Sequence, residues 1–240
     1  MHRVLREIQL AANHCERGPF FEFLGTRSIA PAARLAFLPC MAAFAMSVDD
    51  LDDLIAHDTK GLSPVWMRKG SAADTRHQWQ WYLHDLAVLG FDGGTSIVRA
   101  LSNVGSQDRR LGRMWTARVA QLMHGASVAQ RLVAARAFEV ALGLIFAHAG
   151  KVVAETNSGE SMRLRFLSQK PFVLRGAARL RPAGAWAMEA IELDSTESRG
   201  CEELAFLVFD YFAEWTHELL AGARTALASD RGAKRQGEVA

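Results

Sequence analysis

The segment from residue 71 to residue 90, SAADTRHQWQWYLHDLAVLG, carries polar side chains at helical spacing. At about 100° per residue, one stripe of such a helix carries Ser71, Asp74, Gln78, Tyr82 and Asp85. Hydroxyl, carboxylate and amide groups on one face can hold a polar molecule through hydrogen bonds. We therefore expect this stripe to face a core or a pocket.

Two histidines lie in the same segment but off the stripe. His77 and His84 point roughly 100° around the helix from it. Because a lone histidine is usually a packing or surface residue, we expect neither of them to be a metal ligand. Only in the iron alternative given below does His77, together with Asp74, bind a metal.

One carboxylate interrupts the apolar helix predicted for residues 127–156. Glu139 begins the sequence EVALGLIF, and Gly143 and Phe146 share its helical face. A carboxylate followed by a glycine on one face suits a place where a ligand approaches the backbone closely. The alternative is a helix crossing, since small residues also let two helices pack tightly. Glu139 is therefore a candidate catalytic residue, with Gly143 and Phe146 as candidate ligand contacts.

Three motifs point to a known family. Residues 81–90 contain Trp, Tyr, Leu and Asp-Leu followed by Leu-Gly, and EVALGLIF is similar to a Glu-Ala-x-Gly-x-x-Phe-Phe helix. A third motif, LRFLSQKPFVLRGAA, covers residues 164–178. Together these motifs resemble the haem-oxygenase-like superfamily, in the branch of iron-containing redox enzymes or diiron oxidases. The resemblance covers most of the chain and implies an all-α, single-domain haem-oxygenase-like helical bundle.

The same resemblance implies that most of the family's metal ligands have been replaced. The family's ligand positions fall, in chain order, on Ser71, Asp74, Gln78, Glu139, Pro171, Arg175 and Ala178. Glu139 alone is kept, and Asp74 is a shortened stand-in for glutamate. Proline, arginine and alanine side chains do not bind a divalent iron in the usual way. We therefore expect an eroded site that holds no metal cofactor.

Arg175 would put a fixed positive charge where the family puts a cation. Our hypothesis is that its guanidinium pairs with the carboxylates of Glu139 and Asp74. A buried carboxylate without a partner is costly, and a bidentate arginine satisfies it.

Composition limits the class of protein. The chain has 240 residues, of which 50% are hydrophobic and 22% charged, with a net charge of +2. This balance favours one soluble domain and gives no reason to expect binding to nucleic acid or a membrane. Three widely spaced cysteines and no secretory signal predict a cytoplasmic location. A two-fold homodimer, the commonest soluble assembly, stays open.

The hydrophobic pattern is helical throughout. Residues 1–228 are expected to form the helical domain, and the Arg-rich residues 229–240 a disordered tail. Asp210, Glu214 and His217 share one side of the last helix but lie off its apolar stripe, so we expect a solvated face there. The predicted helices, read from periodicity and from Gly and Pro breaks, are 3–14, 19–25, 30–58, 71–90, 96–104, 107–124, 127–156, 160–169, 171–180 and 200–228.

Three functions are compatible with these residues, and whether the protein is an enzyme stays open. In the first, a small polar molecule binds without a metal, with Glu139, Arg175 and Asp74 as catalytic residues. Ser71, Gln78, Tyr82, Gly143 and Phe146 would then be ligand-binding residues. In the second, the chain is a non-catalytic relative that binds a ligand or a partner protein, with Trp79, Trp81, Phe146 and Phe166 filling the pocket and the pair of Glu139 and Arg175 closed on itself. In the third, Asp74, His77 and Glu139 hold iron at a relocated oxygenase site.

Overall fold

All regular secondary structure in the described part of the chain is helical. The computed structural model describes residues 1–57, 78–91, 97–156, 164–168, 188–189 and 191–237. The helices are α1 His2–Cys15, α2 Pro19–Gly25, α3 Pro31–Arg34, α4 Ala42–His57, α5 Gln78–Val88, α6 Ile97–Gly105, α7 Arg110–Met123, α8 Val128–Glu155 and α9 Ser195–Gly237. The prediction of an all-α, single-domain bundle is confirmed.

Helix α8 forms the centre of the bundle. It begins with a capping box, in which Ser127 Oγ accepts from the Gln130 amide at 3.3 Å and Gln130 Oε1 accepts from the Ser127 amide at 2.9 Å. Apolar side chains occur around most of its circumference, so it can be buried on several sides. Helix α9 packs along α8, while α1, α2, α3 and α7 also contact it.

Aromatic stacking joins the helices around α8. Trp115 of α7 stacks on Phe138 of α8, with ring centroids 4.4 Å apart, and on Trp215 of α9 at 4.6 Å. Phe44 of α4 packs against Trp115 at 5.8 Å. All four rings are fully or almost fully buried, so this cluster fixes the relative positions of four helices.

The predicted helix 30–58 is interrupted. A 3₁₀ helix, Leu35–Met41, separates α3 from α4. Pro39 lies inside it, and proline lacks the amide N–H and crowds the preceding turn of an α-helix. The tighter turn accommodates the proline, and it presents the backbone of Leu38 and Cys40 to neighbouring helices.

Helix α9 is longer than predicted at both ends. Its amino end is capped by Asp194, whose Oδ1 accepts from the amides of Thr196 and Glu197, each at 2.8 Å. The helix was predicted to begin at residue 200, after this cap. At the other end the helix continues through Gly237, into the segment predicted as a tail. Alanine, arginine, lysine and glutamine in this segment favour continued helix.

Two helical stretches among the described residues, Pro31–Leu51 and Val128–Glu155, are long and apolar enough to cross a bilayer. More than half of each stretch is buried in the bundle, and the core helix of a soluble protein passes the same test.

Candidate functional site

The predicted site is only partly within the described residues. Ser71, Asp74 and Arg175 lie outside them, as do His77, Pro171 and Ala178. The ion pair between Arg175 and Glu139 therefore stays a prediction. The remaining candidates belong to two helices: Gln78 and Tyr82 to α5, and Glu139, Gly143 and Phe146 to α8.

Glu139 lies in the middle of the central helix and is only 2% exposed. Its Oε2 lies 3.6 Å from Nη1 of Arg136, one turn earlier on α8, and the Arg136 side chain is 45% exposed. Helical amides on both sides of Glu139 bond within α8, so the partners of the carboxylate are side chains or other segments of the chain. This makes Glu139 a buried acceptor on the face that the sequence predicted.

Phe146, on the same face of α8, joins an aromatic wall that connects three parts of the chain. Its ring meets Phe166 of segment 164–168 edge-on, with centroids 5.3 Å apart. Phe166 in turn meets Tyr82 of α5 at 5.3 Å, and Tyr82 stacks on Trp79 at 5.4 Å. The wall brings together Tyr82 and Phe146, two predicted site residues from helices far apart in sequence.

Gly143 separates Glu139 from the aromatic wall. No atom of the described residues lies within 4 Å of the position that a Cβ would take at Gly143, apart from its chain neighbours and the backbone of α8. Glu139 and Phe146 are seven residues apart, which corresponds to about 10 Å along the helix axis. Along this face of α8, a buried carboxylate, a small residue and a buried aromatic ring therefore follow one another within about 10 Å.

Tyr82 is fully buried, and its hydroxyl donates to the backbone carbonyl of Leu38 at 3.0 Å. Burial raises the pKa of the phenol far above its usual value, and the nearby Cys40 thiol adds to the effect. The phenol is therefore neutral and has its proton committed to the 3₁₀ helix. Gln78, one turn earlier on α5, is half-buried. Their roles in ligand binding stay predictions.

Asp85 holds the aromatic wall in place, a role that the sequence did not reveal. Its side chain is fully buried, and its two oxygens accept from the amides of Arg165 at 2.7 Å and Leu167 at 2.9 Å. Burial raises the pKa of this carboxyl, and the two amide hydrogen bonds oppose that rise. These bonds fasten segment 164–168 to α5 and so position Phe166.

Segment 164–168 corrects one predicted helix. The sequence predicted a helical piece over residues 160–169, but residues 164–168 form bends and a turn. The amides of Arg165 and Leu167 donate to Asp85 rather than to helical carbonyls, which explains the irregular backbone. The only sequence signal was that Asp85 shared the polar stripe of α5.

A third buried carboxylate, Glu218 of α9, caps the amino end of α7. It accepts from the amides of Leu111 at 2.7 Å and Gly112 at 3.2 Å. A Cβ at Gly112 would lie 2.9 Å from Trp215 Nε1 and 3.1 Å from Glu218 Oε1, so glycine is required for this close approach. Burial raises the pKa of Glu218. Local sequence patterns do not indicate this contact, because it joins residues from distant helices.

The predicted surface cluster on α9 is confirmed as exposed. Asp210, Glu214 and His217 are all exposed, and Glu214 pairs with Arg118 at 2.8 Å. Within the described ranges, no group of three His, Cys, Asp or Glu side chains could hold a metal ion. Two of the three residues in the iron alternative, Asp74 and His77, lie outside those ranges, so that alternative stays a prediction.

No protein-family model matches the chain, and no curated protein matches it. The likeness to the haem-oxygenase-like superfamily therefore rests on the three sequence motifs. The helical fold is compatible with that likeness, but helical bundles host many unrelated functions.

Proposed function

We propose that this protein is a haem-oxygenase-like bundle that binds a small polar molecule without a metal, at the face of α8 that carries Glu139, Gly143 and Phe146. The observation that supports this most directly is the burial of Glu139, which is 2% exposed in the middle of the central helix. An ionisable group at the centre of an apolar helix costs stability, and such groups concentrate at functional sites. The family motif around Glu139 supports the same face.

The chemistry of this face suggests the class of ligand. A carboxylate accepts hydrogen bonds, so the ligand should present an ammonium or hydroxyl donor to Glu139. About 10 Å along the helix, the edge of the Phe146 ring suits a planar or apolar part of the same molecule. In this proposal Arg175 contacts an anionic group of the ligand or completes the pair with Glu139. If the ligand is transformed, Glu139 serves as general acid or base.

Matched ligands test this assignment. Tyramine has an ammonium and an aromatic ring, tyrosine adds a carboxylate, and 4-hydroxyphenylacetate lacks the ammonium. We expect an amine-bearing member of this set, or of a panel of aliphatic amines of graded length, to raise the melting temperature of the wild type. The shift should disappear in Glu139→Gln and persist in Glu192→Gln, a change at an exposed carboxylate. A shift that survives Glu139→Gln would place the ligand elsewhere.

Metal content separates this proposal from the iron alternative. We expect near-zero iron and manganese in protein expressed in metal-supplemented medium and purified without chelator, measured by inductively coupled plasma mass spectrometry. About one or two metals per chain would instead favour an oxygenase with Asp74, His77 and Glu139 as ligands. Loss of that metal in Glu139→Gln would then identify the ligand set.

A further inference from the structure

A surface groove of about 880 Å³ lies between α1 and α9 and is lined by residues of these two helices. Ala11 of α1 and Phe209 and Ala213 of α9 give it an apolar lining. Phe206 also lines the groove and is 67% exposed. Isolated exposed apolar residues are common, but a phenylalanine beside an apolar groove offers a site that a partner can cover.

The groove is acidic. Its lining contains one arginine and four carboxylates, a formal charge of −3 with histidine neutral, whereas the whole chain carries +2. The arginine, Arg3, is paired with Glu202 at 3.0 Å. Glu7, Glu203 and Asp210 are exposed and have no ion-pair partner within the described part of the chain. Three carboxylates beside an apolar floor complement a ligand that is both basic and apolar.

The dimensions of the groove suit a helix. On α1 the lining runs from Arg3 to Cys15, which corresponds to about 18 Å, or three helical turns. A third helix laid between two parallel neighbours buries an apolar stripe along its length and keeps charged residues at both edges. A second copy of this chain is a poor occupant, because two grooves of charge −3 would repel each other when brought face to face.

We propose that the groove between α1 and α9 binds an amphipathic helix of a partner protein, with basic residues beside its apolar stripe. Phe206 contacts the apolar stripe, while Glu7, Glu203 and Asp210 pair with the basic residues. This site is independent of the ligand proposed for the Glu139 face. It gives the chain an interaction surface in addition to any small-molecule site.

Fluorescence anisotropy with designed peptides tests the proposal. The probe is a labelled helical peptide of about 18 residues, long enough to cover the groove, with leucines at i, i+3, i+4 and i+7 and lysines elsewhere. A peptide with glutamates in place of the lysines is the matched control. We expect the lysine peptide to bind at least about tenfold more tightly than the glutamate peptide, and added salt to weaken it.

Variants locate the binding. Glu203→Lys with Asp210→Lys should weaken the lysine peptide at least about tenfold, because the charge complementarity is reversed. Phe206→Ala should weaken it roughly fivefold or more through lost apolar contact. Leu101→Ala removes a side chain that is also exposed, at 65%, but lies on α6, so it should leave the affinity unchanged. All of these positions are exposed, and unchanged circular dichroism spectra will show that the fold is kept.

Three results would overturn the proposal. Equal binding of the lysine and glutamate peptides would remove the electrostatic argument. Binding of the lysine peptide that Phe206→Ala and the charge reversal leave intact would place it outside the groove. A wild-type dimer in sedimentation that Phe206→Ala converts to a monomer would identify a second copy as the occupant. Glu139→Gln should retain peptide binding, so failure here is distinguishable from failure of the small-molecule proposal.

Discussion

Buried carboxylates in this bundle hold two kinds of partner. Asp85 and Glu218 each accept from two backbone amides, in segment 164–168 and at the start of α7. Glu139, by contrast, forms an ion pair with the side chain of Arg136 at 3.6 Å, within a continuous helix. A backbone partner has a fixed place in the fold, whereas a half-exposed side chain can move aside for a ligand. The first two carboxylates therefore position structure, whereas for the third we propose a role in binding.

The largest expected effect tests whether Glu139 is also held by Arg175. If the two form a buried ion pair, Arg175→Glu should lower the free energy of unfolding by roughly 3–5 kcal/mol, because two negative charges would then be buried together. Urea denaturation measures this change. Arg224→Glu, at an exposed position on α9, is the control and should have little effect.

Exchanging the two charges sharpens the result. In the double variant Glu139→Arg with Arg175→Glu, the pair is restored with opposite orientation, so part of the lost stability should return. Unchanged unfolding of Arg175→Glu alone would contradict a buried pair. In that case Glu139 would lack a fixed structural partner of the kind that Asp85 and Glu218 have in backbone amides.

A smaller but substantial effect is expected at Asp85. Asp85→Ala leaves the buried amides of Arg165 and Leu167 without their acceptor, which should cost about 2–4 kcal/mol of unfolding free energy. Asp85→Asn keeps one acceptor oxygen and should cost less. His84→Ala is the control at the neighbouring position. The His84 ring is 39% exposed, and its Nδ1 lies 3.4 Å from the Asp85 carboxylate. A cost for Asp85→Ala no larger than that of His84→Ala would mean that the segment is held in another way.

Local sequence signals predicted most of the helices because they act within a few residues. Residues 127–156 were predicted as one helix, and α8 spans Val128–Glu155, since Ser127 and Gln130 form its cap. Gly90 and Gly125, where α5 and α7 give way to turns, have positive φ values of 76° and 74°. The helix predicted for residues 30–58 was wrong at Pro39, because a proline lacks the amide N–H and crowds the preceding turn, which favours the 3₁₀ helix in its place.

The candidate site was predictable only where it follows one helix. Periodicity placed Glu139, Gly143 and Phe146 on one face of α8, and the structure keeps them on the central helix. The contacts of Asp85 with residue 165 and of Glu218 with residue 111 cross between distant segments. No spacing within a helix encodes such pairs, because they depend on how separate helices pack.

The smallest expected effect is the pH dependence of stability that Glu218 contributes. Burial raises the pKa of this carboxyl in the folded protein above its value in the unfolded chain, against the pull of its amide hydrogen bonds. The folded state therefore binds this proton more tightly than the unfolded chain does. The resulting contribution to folding stability is complete below the pKa of the unfolded chain, about 4. It is lost as the pH rises through the folded pKa. The difference in unfolding free energy between wild type and Glu218→Gln should thus fall as the pH rises from about 4.

Asp85→Asn should give the same direction, since burial also raises the pKa of Asp85. A difference that grows with pH would mean that the amide hydrogen bonds outweigh burial, so that the ionised carboxylate is the form that holds the backbone.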